Sequence, residues 1–403
     1  MEPAREAHLL ASPGPGLLPE PELQTGPTGR RFGIYVHCPY CRTKCPYCDF
    51  NVAIHREDRI APFVAGLRAE LARYAALPWA GRVPAGSLFL GGGTPSLLPA
   101  EAVAAVLADA RQGLGLAPDA EVTLEANPEG LDVTRLRAFR AAGVTRLSLG
   151  VQALDDALLG RLGRTHSAAD AEAAFRAARA AGFDDVSLDL LYACPGQDLA
   201  TWVRTLDQAL AWAPEHLSAY ALTLEPATPF GRRAPDGLPD EDLQVAQFEA
   251  LVERTARAGL GRYEISNFAR PGRRSRHNLG YWHREDYVGL GPGAHGAFGA
   301  VRYWTQRSEP RWRAAVLAGG WGIEGWERLS ERQVVAERLV LGLRLAEGVP
   351  LAWLDGHLAD GANAGASALG RYLAAGVMAV RDGRIALTDR GVLVSDTIFA
   401  ELV

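Results

Sequence analysis

Short apolar runs alternate with longer stretches of helical period along most of this 403-residue chain. Residues 32–37, 87–90, 121–125, 145–150, 186–190 and 216–220 read as strands. Between them, residues 58–76, 99–113, 132–142, 168–181 and 199–212 carry apolar positions at helical spacing. Glycines at 143 and 182 stand where two of these helices should stop. Strand–helix alternation predicts right-handed crossovers and a parallel sheet. Polar residues and glycines recur just after the strands, which suits a barrel, open or closed, with its site at the C-terminal strand ends. A flat doubly wound sheet is the alternative. A further helix is predicted over 240–259 and an extended segment over 262–266. The polar, glycine-rich stretch that follows leads to a region of different character. There, helical patterns at 330–346 and 351–375 precede two short strands, 377–380 and 385–387, around Asp382-Gly383. That pair is a hairpin signal, and a last helix starts near 389.

Composition narrows the function classes. Hydrophobic residues make up 48%, charged residues 22%, and the net charge is −5. That leaves no general basic field for nucleic acid, and no apolar run reaches membrane-spanning length. Residues 1–30 are rich in Pro, Gly and Glu and lack the apolar segment of a secretory signal, so a flexible tail is expected. Five cysteines are too few for a disulfide framework in a chain of this length. Together with a dense thiol motif they suggest a reducing compartment, here taken as the cytoplasm.

The thiols are concentrated. Cys38, Cys41, Cys45 and Cys48 fall within a few residues of the first strand. The last three have the spacing C-x3-C-x2-C, and thiolates this close can converge on one soft metal centre. A cubane iron–sulfur cluster normally takes four protein thiolates. Three would leave one iron open to a small ligand. The competing reading is a zinc site from the pairs Cys38/Cys41 and Cys45/Cys48. Those two pairs are close enough to crowd a tetrahedron.

The cysteine stretch resembles the radical S-adenosylmethionine (SAM) family. In that family the three thiolates, here Cys41, Cys45 and Cys48, hold a [4Fe-4S] cluster whose open iron chelates SAM. The resemblance runs from about residue 31 to the C-terminus. It includes Gly91-Gly92-Gly93-Thr94-Pro95, which looks like the family's SAM-amino motif. It also includes Leu124-Glu125-Ala126-Asn127-Pro128, Gly150-Val151-Gln152, Leu162-Gly163-Arg164 and Leu188-Asp189-Leu190. By this likeness Tyr35, Tyr47, Gly92, Gly93, Thr94, Glu125, Gln152, Arg164 and Asp189 surround SAM and the cluster. The implied fold is α/β: an incomplete (β/α)6 TIM-like barrel over 31–268, a connecting region at 269–325, and a small α+β, winged-helix-like C-terminal domain at 326–403. The C-terminal hairpin carries only Arg381 and Arg384, so that domain is expected to cover or dock rather than bind nucleic acid.

Within the family the chain is similar to the coproporphyrinogen oxidase-like branch. Oxidases of that branch carry a further cysteine where this chain has Phe50. The branch's heme chaperones have phenylalanine there and a His-Asn-x-x-Tyr-Trp segment, matched here by 277–282. This likeness implies a protein that binds the cluster, SAM and heme, and passes heme to an acceptor such as a respiratory enzyme. No catalytic residue is assigned. His277 is the candidate heme ligand, since neutral imidazole commonly ligates heme iron, with Tyr281 and Trp282 packing on the macrocycle. His295 is a second candidate; His37 and His166 are weaker ones. The rival function is oxidative decarboxylation of coproporphyrinogen III by a SAM-derived radical. Cys38, where the family has an apolar residue, is expected to be a buried side chain. Ala193 and Cys194, in place of Gly and Leu, are expected to be packing changes.

Overall fold

The computed structural model describes residues 20–354 and 364–402. Expectations for the tail before residue 20, and for the part of the 351–375 helical pattern between 355 and 363, lie outside the described residues. Residues 20–30, also expected in the flexible tail, are instead anchored: a short helix forms at Glu20–Thr25, Leu23 is fully buried, and the Trp79 indole N–H donates to the Leu23 carbonyl at 2.6 Å. The six expected strands form within a few residues of their predicted places. They are β1 (Phe32–Cys38), β2 (Ala85–Gly92), β3 (Leu116–Ala126), β4 (Arg146–Gln152), β5 (Val186–Tyr192) and β6 (His216–Ala221). Between them lie α1 (Glu57–Ala75), α2 (Ala100–Leu114), α3 (Val133–Ala142), α4 (Ala168–Ala180) and α5 (Leu199–Ala211). The helix boundaries follow from local chemistry. Asp132 and Asp198 cap α3 and α5 through their side chains, and Ser167 and Asp170 form a capping box on α4. At the other end of α3, Gly143 takes φ 110° in the left-handed region that favours glycine.

Register explains the layering. Val36, Leu90, Leu124, Leu147 and Val186 are successive partners across five parallel strands. All are fully buried, on the face that meets the helices. Burying each such side chain contributes about 2 kcal/mol. The alternate positions point the other way. Tyr35, Phe89, Thr123 and Arg146 form one row of partners on that inner face; Glu125, Ser148, Ser187 and His216 form the next. Every strand therefore has an apolar outer face and a largely polar, buried inner one.

The sheet is larger than six strands. A helix α6 (Glu241–Arg257) leads to a hairpin of β7 (Gly261–Arg262) and β8 (Asn267–Ala269), with β8 antiparallel to β6. The extended segment predicted at 262–266 is thus mostly a turn, closed by the Tyr263 N–H donating to the Asn267 carbonyl at 3.0 Å. Beyond it lie α7 (Arg276–Trp282), β9 (Tyr287–Leu290), β10 (His295–Phe298), β11 (Val301–Thr305), α8 (Glu309–Leu317) and β12 (Ile323–Arg328). The stretch 269–325, expected as a connection, supplies four strands of the same sheet. β9 pairs parallel with β1, and β10 to β12 follow antiparallel. The order is β12-β11-β10-β9-β1-β2-β3-β4-β5-β6-β8-β7, and its two ends are not hydrogen-bonded to each other. The barrel is open, as expected.

The last unit contains α9 (Glu331–Leu343), β13 (Val349–Pro350), α10 (Ala364–Ala374), β14 (Met378–Arg381), β15 (Arg384–Leu387) and α11 (Ser395–Leu402). Its three strands pair in the order β13-β15-β14. Asp382 and Gly383 both have positive φ, 51° and 72°, as the expected two-residue hairpin turn requires. The departure at Ala193 is a backbone matter rather than packing alone. Its φ is 56°, where the family's glycine would rest without strain, and its N–H is held by Gln247 Oε1 at 3.0 Å.

One buried carboxylate braces the added strands. Glu70 on α1 accepts the Gly291 N–H at 2.8 Å and the Trp312 indole N–H at 3.2 Å. Burial pushes its pKa up from 4.5 to about 8. A group whose folded pKa is raised contributes stability that is complete below the unfolded value and lost as pH climbs to the folded one. Unfolding stability is therefore expected to fall from this cause between pH 4.5 and about 8. Urea midpoints measured across that window should fall less in Glu70→Gln; an equal fall in both proteins would exclude Glu70 as the source.

Candidate functional site

The cysteine loop leaves the C-terminal end of β1 and lies across the mouth of the sheet. Its backbone is tied to the glycine run that ends β2. The Gly93 N–H donates to the Cys38 carbonyl and the Thr94 N–H to the Tyr40 carbonyl, both at 2.8 Å. Gly93 is required for this approach: a Cβ there would lie 2.7 Å from the Tyr40 carbonyl oxygen. On the far side, Pro46 rests on Gly163, and its carbonyl accepts the Phe230 N–H at 3.0 Å.

Cys41, Cys45 and Cys48 line a cavity of about 340 Å³. The same cavity is bordered by Tyr47, Gly92, Gly93, Thr94, Glu125, Gln152, Arg164 and Asp189. All three expected thiols and eight of the nine expected SAM-side residues are thus brought to one place. The ninth, Tyr35, faces a neighbouring cavity instead. Cys38 points to the outer face, is 1% exposed and packs in the apolar core. It lies away from the other thiols' cavity, which removes the fourth ligand of the zinc alternative. Among the described residues, no three His, Cys, Asp or Glu side chains are grouped to hold a single metal ion. Three separated thiols around an open cavity fit a multi-iron cluster better than one ion.

The polar groups are cross-linked. The Thr94 hydroxyl donates to Cys41 Sγ at 3.4 Å, and Asn127 Nδ2 donates to that hydroxyl at 3.0 Å. Arg164 donates to Asn127 Oδ1 at 2.6 Å and to the Gly150 carbonyl at 3.1 Å, and reaches Cys45 Sγ at 3.6 Å. A guanidinium beside the sulfurs offsets the negative charge of a thiolate-ligated cluster. Burial raises the Cys41 and Cys48 pKa values, and the neighbouring thiols add to this. Thiols that crowd one another in a shielded place ionise together only with a cationic centre among them.

Opposite the sulfurs lies an acidic wall. Glu125 accepts the Gly92 N–H at 2.9 Å. Its pKa is pushed up to about 8, by burial first and then by Asp189. Burial also raises Asp189, while the Ser148 hydroxyl, 2.8 Å from one oxygen, pulls it the other way. Two carboxylates in a shielded cavity favour a cationic ligand with hydroxyls, which is what an ammonium, a sulfonium and a ribose supply. The N–H groups of Gly92, Gly93 and Thr94 are all used within the protein. What the glycine run leaves for an amino group is acceptor oxygen, the right polarity. Gln152 reaches the cavity through a β-bulge, where its φ is 63° and the β4–β5 register slips.

Asn127, Ser148 and Tyr220 also border this cavity and were not among the expected site residues. A signal for them existed: Ser148 and Tyr220 occupy inward positions of apolar/polar alternation, and Asn127 directly follows β3. Cys194 packs with Leu158, Leu162 and Leu191 under the segment carrying Arg164. Burial pushes its pKa up to about 12, so it is a structural thiol.

The histidine segment lies deeper, on α7 inside the open barrel. Glu121 accepts the N–H groups of Arg276 at 2.9 Å and His277 at 3.1 Å and so pins the start of that helix. Both ring nitrogens of His277 are engaged, with the Ser87 hydroxyl at 2.9 Å and the Tyr281 hydroxyl at 2.8 Å. Burial lowers its pKa to about 3. As folded, His277 offers no free nitrogen to an iron; it positions Tyr281. Trp282 turns away, its ring 4.5 Å from the Arg344 guanidinium carbon. His166 is buried and bonded to the Val151 carbonyl at 3.0 Å. His37 is bonded on both nitrogens, to Tyr35 and to the Asn51 carbonyl. His295 is exposed to the neighbouring cavity.

Residues 35–209 match the radical SAM superfamily, and residues 329–394 match the HemN C-terminal domain. The chain is 40% identical to the heme chaperone HemW of Mycobacterium tuberculosis, over 96% of this chain and 97% of that protein. It is 41% identical to the mitochondrial radical S-adenosyl methionine domain-containing protein 1 of Mus musculus, over 83% of this chain and 77% of that protein. Among solved structures, the coproporphyrinogen III oxidase HemN from Escherichia coli superposes with a TM-score of 0.82 at 21% identity, covering 95% of this chain and 92% of that one. That likeness concerns the fold.

Two outcomes check the site. Cys38→Ala protein, reconstituted anaerobically, should retain about four irons per chain. Alanine at Cys41, Cys45 or Cys48 should abolish cluster uptake; iron and sulfide analysis distinguishes the two patterns. Gly93→Ala should lower unfolding stability by about 1–3 kcal/mol, the usual cost of overpacking, as read by urea denaturation.

Proposed function

We infer the function from the premise that this chain belongs to the radical SAM superfamily and, within it, to the family of the heme chaperone HemW. It binds a [4Fe-4S] cluster and SAM at the cysteine cavity, binds heme, and transfers the heme to an acceptor protein, with a respiratory heme enzyme as the expected class. The observation that carries this reading is 40% identity to a HemW over nearly the whole of both chains. Phe50 supports it, because it occupies the place where the oxidases of this branch carry a further cysteine. A thiol-dependent cluster suits a reducing compartment, and the cytoplasm is the proposed location.

Each residue has a defined task in this reading. Cys41, Cys45 and Cys48 hold the cluster, and Arg164 balances its charge through Cys45. Thr94 and Asn127 fix the rotamer of Cys41 through their hydrogen-bonded chain. Glu125 and Asp189 attract the cationic ligand, and Ser148 keeps the Asp189 carboxylate oriented towards it. When bound, the cluster supplies one-electron chemistry and an open iron position. The protein's share is to keep that position supplied with SAM and shielded from bulk water.

One experiment separates chaperone from oxidase. Reconstituted protein is titrated with hemin and, in parallel, incubated with coproporphyrinogen III, SAM and a reductant. About one heme bound per chain with no protoporphyrinogen formed is the expected result. Protoporphyrinogen in the second arm would establish the oxidase instead.

A further inference from the structure

Three ties hold the cysteine loop, and the third leaves the six-stranded part of the sheet. The first is the pair of bonds from Gly93 and Thr94; the second is Pro46 resting on Gly163 and bonded to Phe230. The third is made by Asn51, three residues after Cys48. Its Nδ2 donates to the Pro292 carbonyl and to the Arg307 carbonyl, both at 2.9 Å. Both partners are acceptors only, so the carboxamide has one orientation and both of its N–H bonds are used. Pro292 lies in the turn between β9 and β10, and Arg307 follows β11. That anchor is itself braced. The Thr305 hydroxyl donates to the Gly291 carbonyl at 2.5 Å and accepts the Ala294 N–H at 2.9 Å, while Glu70 holds the Gly291 N–H. Gly293 makes room for the carboxamide: its φ is 81°, and a Cβ there would lie 2.6 Å from Asn51 Nδ2.

The Asn51 backbone makes a second connection. Its carbonyl lies 2.9 Å from His37 Nε2. A carbonyl only accepts, so Nε2 carries the proton, and burial lowers the pKa of the ring and keeps it neutral. Nδ1 is then an acceptor, and the Tyr35 hydroxyl, 3.0 Å away, donates to it. The same ring packs on Gly92, where a Cβ would come within 2.5 Å of it. Gly92 borders the cysteine cavity, and Tyr35 borders a second cavity of about 770 Å³ beside it; Phe50, next to Asn51, borders both. One loop residue therefore connects the end of β2, the Tyr35 hydroxyl on β1 and the turns of the added strands.

We propose that Asn51 is a positioning residue for the cysteine loop: its carboxamide latches the Cys48 side of the loop to the added strands, and its carbonyl, through His37, fixes Gly92 and Tyr35. This rests on the cluster- and SAM-binding reading of the cysteine cavity given above. Cys41 and Cys45 are held by the first two ties, which do not involve Asn51. Cys48 and Phe50 lie between the second tie and the third. Without the latch they gain freedom, while the other two thiols keep their places. The loop still gathers three thiols, but the wall formed by Cys48 and Phe50 no longer keeps a fixed distance from Gly92. The loss falls on the ligand of the cavity more than on metal uptake.

The test is anaerobic reconstitution of Asn51→Ala, read by iron and sulfide analysis, by equilibrium dialysis against labelled SAM, and by electron paramagnetic resonance of the reduced cluster with and without SAM. Iron should stay at about four per chain. SAM binding should weaken by about tenfold or more, the usual cost of losing a group that orients a metal ligand, and the spectral change caused by SAM should shrink with it. A residue that only stabilises the fold would lower the urea midpoint and leave both SAM readouts as in the wild type; that result would overturn the proposal. Asn51→Asp keeps the size and the bond to His37 but sets oxygen against both carbonyls, so it should share the defect. If Asn51→Ala does not fold, His37 supplies the second comparison. His37→Gln, which retains a donor and an acceptor, should bind SAM more tightly than His37→Leu, and equal affinity of the two would overturn the proposal. A wild-type protein that takes up no cluster would overturn the reading of the cavity, and the latch with it.

Discussion

Two backbone hydrogen bonds hold the functional end of this molecule together. The N–H groups of Gly93 and Thr94 donate, each at 2.8 Å, to carbonyls on either side of the first turn of the cysteine loop. The bonds form only because Gly93 has no side chain. They press the loop onto the end of the sheet, so its three thiols surround a cavity instead of projecting into solvent. Everything chemical at this site depends on that closure. Arg164 can reach Cys45, and Thr94 can reach Cys41, because the loop is held at this height above the strands.

A second constraint runs down the inside of the sheet. The strands are apolar where they meet the helices and polar where they face inward. A buried polar face needs partners, and α7 supplies them at the lower end. Glu121 seizes the helix start, Ser87 bonds His277, and Tyr263 bonds both His216 and the Ser275 N–H. The histidine segment that sequence likeness associates with heme is thus also a structural plug. That dual use accounts for its engaged ring nitrogens. The added strands β9 to β12 matter for the same reason. They extend the parallel sheet past β1 and place a second cavity beside the first, with Phe50 between them.

Much of this was legible from the chain. The repeated strand–helix pattern places all six first strands to within a few residues, and the C-x3-C-x2-C spacing picks out the thiols that border the cavity. The strand-end residues Glu125, Gln152, Arg164 and Asp189 come together there because a parallel sheet gathers all its C-terminal ends on one side. Other features were harder to read. β9 to β12 are short and interrupted by glycines at 289, 291, 293 and 296, so neither strand nor helix periodicity stands out. The segment 262–266 carries strand-like residues yet turns, because the Tyr263 to Asn267 hydrogen bond reverses the chain. At Ala193 the sequence suggests a size change, and only the φ of 56° exposes a backbone one.

The sequence by itself determined the order of the first six strands and their helices, the α/β class and which three thiols share the C-x3-C-x2-C spacing. All of these depend on local periodicity and fixed spacing. What tertiary structure decided is which way each polar side chain faces and whether its donors and acceptors are already spent. Cys38 differs from Cys41 only in belonging to β1, on the face that points into the core. His277 and His295 are both single histidines near glycines, alike in the sequence. Burial against Ser87 and Tyr281 occupies one, and a position opposite Trp304 leaves the other exposed. Spacing along a chain names the candidate residues; only the neighbours supplied by distant strands determine which of them already have their hydrogen bonds.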